Sequence, residues 1–150
     1  SVDLVDIDPR NRRSTVLADL ADPGSLPAAS WDCVIAPQTI NLIDDPAAGV
    51  ANLWHAVRPG GVLLVTVPTM ARQEPSMREI DRWRFLPRGL EFLLEQACPG
   101  GIVSVRGYGS LVTATAFLHG LAAEELREDE LDRTDPAHAI LACGQVEKPA

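Results

Sequence analysis

Val57-Arg58-Pro59-Gly60-Gly61-Val62-Leu63-Leu64-Val65-Thr66-Val67-Pro68 is the stretch whose reading decides the fold. From Val62 to Val67 only Thr66 is polar, so the segment lacks the alternation of a half-exposed strand and predicts a central strand covered by helices on both faces. A helix should precede it. Asp45 is a good N-cap with Pro46 at the first helical position, and Val50, Leu53, Trp54 and Val57 repeat at helical spacing until Pro59-Gly60-Gly61 stops the run. Upstream, Trp31-Asp32 leads into the apolar run Cys33–Ala36, followed by a polar loop from Pro37 to Asn41. Nearer the start, Val2–Ile7 reads as a strand stopped at Asp8-Pro9, and Thr15–Ala18 as a short strand entering the Asp19-Leu20 loop. Downstream the order is a helix over Pro87–Ala97, a strand over Ile102–Val105, a helix carrying Leu111, Ala114, Phe117, Leu118 and Leu121, and a last strand over Ala139–Val146. The charged stretch Glu124–Asp135 reads as a solvated helix and turn. Strands alternating with helices predict an α/β domain with a mainly parallel sheet.

The remaining composition narrows the function. A chain of 150 residues and 16.1 kDa fits one domain, residues 1–150, able to bury about two-thirds of its unfolded surface. Lys and Arg number 13 against 21 Asp and Glu, a net charge of −8, which disfavours a nucleic-acid backbone as partner. No apolar run has the length of a membrane span. Cys33, Cys98 and Cys143 are far apart and read as buried free thiols rather than a disulfide framework, and His55, His119 and His138 show no ligand spacing, so no metal is expected. No basic-then-apolar signal segment opens the chain, and a cytoplasmic location is expected.

In an open parallel sheet, ligands bind beyond the carboxyl ends of the strands. Those ends are followed here by Asp6–Asn11, Asp19–Asp22, Pro37–Asp45 and Pro68–Arg72. A carboxylate at such a position can accept two hydrogen bonds from ribose hydroxyls, and a second acid one strand over can accept from an exocyclic base amine. The pair suggests an adenosine-type ligand, although an Asp after a strand is also an ordinary turn residue.

With these segments in order, VDIDP, VLADLADPGSLPAASWDCVIAPQTINLIDD, VRPGG and VLLVTVP resemble the class I S-adenosylmethionine-dependent methyltransferases, of the methyltransferase type 11-like kind. Trp83-Arg84-Phe85, Tyr108-Gly109, Ala116–Gly120 and Glu125-Leu126 look like a bacterial subgroup of them. The resemblance implies a Rossmann-like methyltransferase fold with an antiparallel C-terminal strand, truncated at its N-terminus. Its first strand and the glycine-rich loop that cradles the cofactor have no counterpart; Gly60-Gly61 and Gly100-Gly101 read as helix-stopping turns. By resemblance, Asp6 would hold the ribose hydroxyls, with Asp3 the close rival and Asp8 third. Asp19 would face the adenine amine, the Leu20 amide the ring, and Pro37 and Gln38 the sulfonium side. Trp83 and Phe85 either roof an acceptor pocket or belong to the core. His119 and Tyr108 are the candidate bases, although His119, flanking an apolar stripe, reads as structural before catalytic.

The implied activity is methyl transfer from S-adenosylmethionine to a small-molecule acceptor. A non-catalytic α/β binding or dimerisation module and a dehydrogenase-like nucleotide-binding domain are the alternatives. The Arg-Pro-Gly-Gly turn and the antiparallel last strand favour the first two. A sheet left open by the absent strand favours a homodimer.

Overall fold

The computed structural model describes residues 2–150. Two very short strands, β1 (Val5–Asp6) and β2 (Val16–Leu17), pair in parallel as a separate two-stranded sheet. The main sheet has the order β3-β4-β6-β5, built from β3 (Trp31–Pro37), β4 (Val57–Pro68), β5 (Ile102–Tyr108) and β6 (Leu141–Glu147). β3 and β4 are parallel, and β6 runs antiparallel between β4 and β5, as the family resemblance implies. Three helices accompany them: α1 (Pro46–Ala56), α2 (Pro87–Ala97) and α3 (Leu111–His119), with a single turn α4 (Glu128–Leu131) in the charged stretch.

Asp3 sets the direction of β1 and β2 relative to the main sheet. Its carboxylate accepts from the Trp31 indole at 2.9 Å and from the Thr15 hydroxyl at 3.0 Å. These residues stand at or just before the starts of β3, β2 and β1, so one cluster ties three amino ends at the same rim. The carboxyl ends accordingly share the opposite rim.

α1 starts where the sequence predicts. The Asp45 carboxylate accepts from the Ala47 and Ala48 amides at 3.0 and 3.1 Å, and Pro46 occupies the first turn. Its end differs from expectation. The helix stops at Ala56, and Val57 to Gly61 already run as strand, with Val57 paired to Trp31. Pro59-Gly60-Gly61 is therefore the entry of β4 rather than a separate turn. Gly61 is required at the β-bulge there, because a Cβ would lie 2.7 Å from the Asp32 carbonyl oxygen. α3 is bounded by Ser110, which forms a reciprocal capping box with Thr113, and by Gly120 at φ 76°.

One face of the sheet is covered and the other is open, which corrects the expectation of helices on both sides. Val34, Leu63, Val146 and Val103 align across the four strands, as do Ala36, Val65, Gly144 and Val105. This face packs on α1 and α2 through Val50, Leu53, Trp54, Leu90 and Leu94. The neighbouring rows, such as Ile35-Leu64-Gln145-Ser104, face outward, with Ile35 64% exposed. Cys33 shares that face and is exposed, Cys143 is half-buried, and only Cys98 is the buried thiol expected. The molecule exposes 9323 Å², against about 7,400 Å² for a compact monomer of its mass. That excess matches an uncovered sheet face. On α3 the buried side chains are Thr113, Ala114 and Ala116, whereas Leu111, Phe117, Leu118 and Leu121 of the expected core stripe are exposed.

Candidate active site

At the carboxyl rim, Asp6 closes β1, Asp19 and Leu20 follow β2, and Pro37 closes β3 with Gln38 next. One Asp6 oxygen accepts from the Asp8 amide at 2.8 Å and the other from the Asn11 side-chain amide at 2.6 Å. These bonds, the backbone one first, hold its carboxyl below the ordinary Asp range, so it is ionised at neutral pH. Each oxygen keeps one free lone-pair direction, which is what a pair of ribose hydroxyls needs. Asp19 follows β2 by two residues and accepts from the Ala21 amide through one oxygen at 2.9 Å. Its loop, with Leu20, is tied down by Asn52 of α1, which is 4% exposed. The Asn52 amide donates to the Asp22 carbonyl at 2.9 Å and the Ser25 hydroxyl at 2.8 Å, and its oxygen accepts from Gly24. Sequence reasoning missed Asn52. An Asn set between Val50 and Leu53 in the apolar part of the helix was the signal.

Gln38 follows Pro37 at the end of β3 with φ 49°, a left-handed conformation that an L side chain adopts only under constraint. Its amide donates to the Thr66 carbonyl at 2.9 Å, and its side chain donates to the Thr66 hydroxyl at 3.2 Å. Asp3 is not brought together with these residues, since its cluster with Trp31 and Thr15 lies at the amino rim. Asp8 stands beside Asp6 but spends its carboxylate on Arg10. The rim set Asp6, Asp19, Leu20 and Gln38 offers acceptors at two adjacent strand ends and polar backbone at a third, a donor and acceptor set that fits the adenosine half of S-adenosylmethionine.

A strap from Asp81 to Phe85 crosses beside this rim. Asn41, 5% exposed, accepts through its carbonyl from the Arg82 and Trp83 amides, and its side chain donates to Asp81 at 3.2 Å. Asp81 and Arg84 form a bidentate pair at 2.6 Å, which holds the Asp81 carboxyl below its usual range. Trp83 donates to the Ile43 carbonyl at 2.8 Å and remains 41% exposed, with its ring 6.4 Å from that of Phe85. Phe85 packs on the core. Phe85 therefore takes the core role, and Trp83 stays on the outer surface of the strap.

The candidate bases fall differently. His119 ends α3 on the exposed surface, and Tyr108 ends β5 at the carboxyl rim. Sequence reasoning overlooked His138. Its Nδ1 lies 2.7 Å from an Asp135 oxygen. The other Asp135 oxygen accepts from the Ala137 amide at 3.0 Å. Asp135-Pro136-Ala137-His138 forms a capped 3-10 turn directly before β6, and this Asp-x-x-His spacing ahead of a strand was the available signal. Thr69, just past β4, donates its amide to the Ile140 carbonyl at 3.0 Å and its hydroxyl to the Ala139 carbonyl.

A sheet with an antiparallel strand set between its last two parallel ones, packed on one face by α1 and α2 and accompanied by the parallel pair β1-β2, is the Rossmann-like fold of the methyltransferase structures it superposes on. Residues 3–65 match the family described as Methyltransferase domain. A possible histamine N-methyltransferase from Thermotoga maritima superposes with a TM-score of 0.59 at 20% identity, over 93% of this chain and 66% of that one. A methyltransferase from Archaeoglobus fulgidus gives 0.60 at 14% identity, over 96% and 74%. A Haloferax volcanii protein, described as a putative methyltransferase in complex with the Trm112 methyltransferase activator, gives 0.57 at 17%, over 91% and 62%. The chain therefore spans less than two thirds of the length of the first two structures it matches, 62% and 66%. No curated protein matches the sequence. No helix among the described residues is long and apolar enough to cross a membrane.

Proposed function

We propose that this chain is one domain supplying the adenosine half of the site and the acceptor side of an S-adenosylmethionine-dependent methyltransferase that acts on a small molecule in the cytoplasm. The observation that carries the reading is the placement of Asp6 and Asp19 at the carboxyl ends of the adjacent parallel strands β1 and β2, on the same rim as Gln38. A glycine-rich loop on a further strand along the unpaired edge of β3, outside these 150 residues, would complete the cradle.

Each residue has a defined part in this reading. The ionised Asp6 accepts from the ribose hydroxyls, and its bonds to Asp8 and Asn11 keep both oxygens in place. Asp19 accepts from the adenine amine, while Asn52 stiffens the loop that also presents the Leu20 amide. Gln38, clamped on Thr66, orients the reacting side. S-adenosylmethionine, when bound, supplies a methyl carbon activated by its sulfonium. The chain's contribution is alignment and exclusion of water, which the Asp81–Phe85 strap assists.

Titration calorimetry of the chain with S-adenosylhomocysteine tests this. Micromolar binding is expected, weakened at least about tenfold by Asp6→Ala and by Asp19→Ala, the loss of one charge-assisted hydrogen bond. A folded sample that takes up no ligand overturns the reading for this chain. The second reading, a non-catalytic module, is favoured by the unpaired β3 edge and the uncovered face around Ile35, which suit a homodimer or a protein partner.

A further inference from the structure

We propose that the Asp135–His138 pair is a general base serving an acceptor that carries an acidic hydroxyl, a phenol or enol, on an apolar body seated in the groove beside α3. The proposal rests on the methyl-transfer reading above and adds to it the acceptor class and the base.

The geometry of the pair assigns its chemistry. A carboxylate can only accept, so at neutral charge the Nδ1 of His138 carries the proton and donates to Asp135 at 2.7 Å. The Nε2 lone pair is then free, and no partner for it is present among the described residues. Asp135 is fixed in turn: its amide donates to the Gly109 carbonyl at 2.7 Å and its second oxygen accepts from Ala137. The hydrogen bond from His138, followed by that from Ala137, holds the Asp135 carboxyl below its ordinary range. Both side chains are about 40% exposed, open enough for a ligand to reach.

Position then links the pair to the rim. His138 precedes β6, which lies two strands from β3, about 10 Å at the usual strand spacing. Residues 139 and 140 bond directly to Thr69, three positions beyond the Thr66 that clamps Gln38. Next to the pair, Gly109 and Ile140 border a groove of about 350 Å³, lined also by Tyr108, Phe117, Leu121, Leu126 and Leu131. No charged side chain lines it, and its volume is that of a small-ligand site. The pair does not line the groove itself but adjoins its border at Gly109, whose carbonyl accepts from the Asp135 amide, and at Ile140, two residues beyond His138.

The base selects the acceptor atom. A neutral amine attacks a methyl carbon with its own lone pair and needs no prior deprotonation, whereas a phenol, with an ordinary pKa near 10, gains from a base at neutral pH. In the step, the hydroxyl proton passes to Nε2 of His138. The oxygen lone pair forms the bond to the methyl carbon of the sulfonium donor, and the carbon–sulfur bond breaks with its electron pair left on sulfur.

The test uses the full chain labelled with ¹⁵N-histidine, titrated with 2-naphthol and, separately, with S-adenosylhomocysteine. Saturable displacement of the His138 Nε2 resonance by 2-naphthol is expected, abolished by Leu121→Asp on the exposed groove wall. Asp135→Asn should remove the preference for the Nδ1–H tautomer while the backbone spectrum stays folded. If 2-naphthol moves groove resonances but not Nε2, or neither, in a chain that binds S-adenosylhomocysteine, the inference falls and the cofactor reading stands. If 2-naphthol moves Nε2 but S-adenosylhomocysteine does not bind, the cofactor reading falls and takes the base role with it.

Discussion

Lys148, the only lysine in the sequence, shows how much one side chain can close off. Its ammonium donates to the carbonyls of Trp54 and Val57 at 2.9 and 2.7 Å, satisfying the end of α1, and stands 4.7 Å over the Trp54 ring. Lys148→Met leaves those carbonyls without a charged donor and should cost about 2 kcal/mol in urea unfolding. The acid side of the stability curve depends on another residue. Asp81 has a carboxyl lowered by Arg84, so its contribution is present above the ordinary Asp pKa and lost as pH falls through the lower folded value. Asp81→Asn should therefore flatten the loss of stability below about pH 4, the ordinary Asp value. Thiol reactivity should follow exposure. Cys33 reacts first with a neutral disulfide reagent, then Cys143, and last Cys98, whose thiol burial pushes up to about 12. None of these roles was legible in the sequence, because a lone Lys or Asp carries no mark of the partner that folding brings to it.

At the scale of elements, much was legible and the misses share a cause. The Asp45-Pro46 start of α1, the β4 core and α2 over Pro87–Ala97 were read correctly, each being set by local capping or a continuous apolar run. Leu111, Phe117, Leu118 and Leu121 were misread as a core stripe because periodicity reports a face and not what that face meets. The exposed Cys33 and Ile35 were misread for the same reason. Close approach between elements is equally invisible. A Cβ on Gly144 of β6 would clash with Leu94 Cδ1 of α2, where both Leu90 and Leu94 are fully buried. Gly144→Val should cost about 1–3 kcal/mol by overpacking, seen as a lowered urea midpoint with unchanged m-value.

At the scale of the molecule, stability should be unevenly distributed. β4 pairs on both sides and carries Leu63, Val65 and Val67 in the core, whereas β1 and β2 have two residues each and form a sheet of their own. Amides of β4 and β6 should exchange last, and those of residues 4–18 early. S-adenosylhomocysteine should slow residues 4–18 selectively, since Asp6 and Asp19 flank or end both strands; uniform slowing across the sheet would count against binding at that rim. The order of strands and helices, a mainly parallel sheet, and the acids that end β1 and follow β2 could be read from the sequence by itself, because turns, caps and apolar runs act within a few residues of the chain; the antiparallel last strand was expected only from the family resemblance. Which face of the sheet is covered, that Asp3 belongs to the amino rim, and that an apolar groove beside α3 adjoins the Asp135–His138 turn were decided only by tertiary structure. Each depends on residues far apart in the chain, or on what stands across a surface, and local pattern carries no record of either.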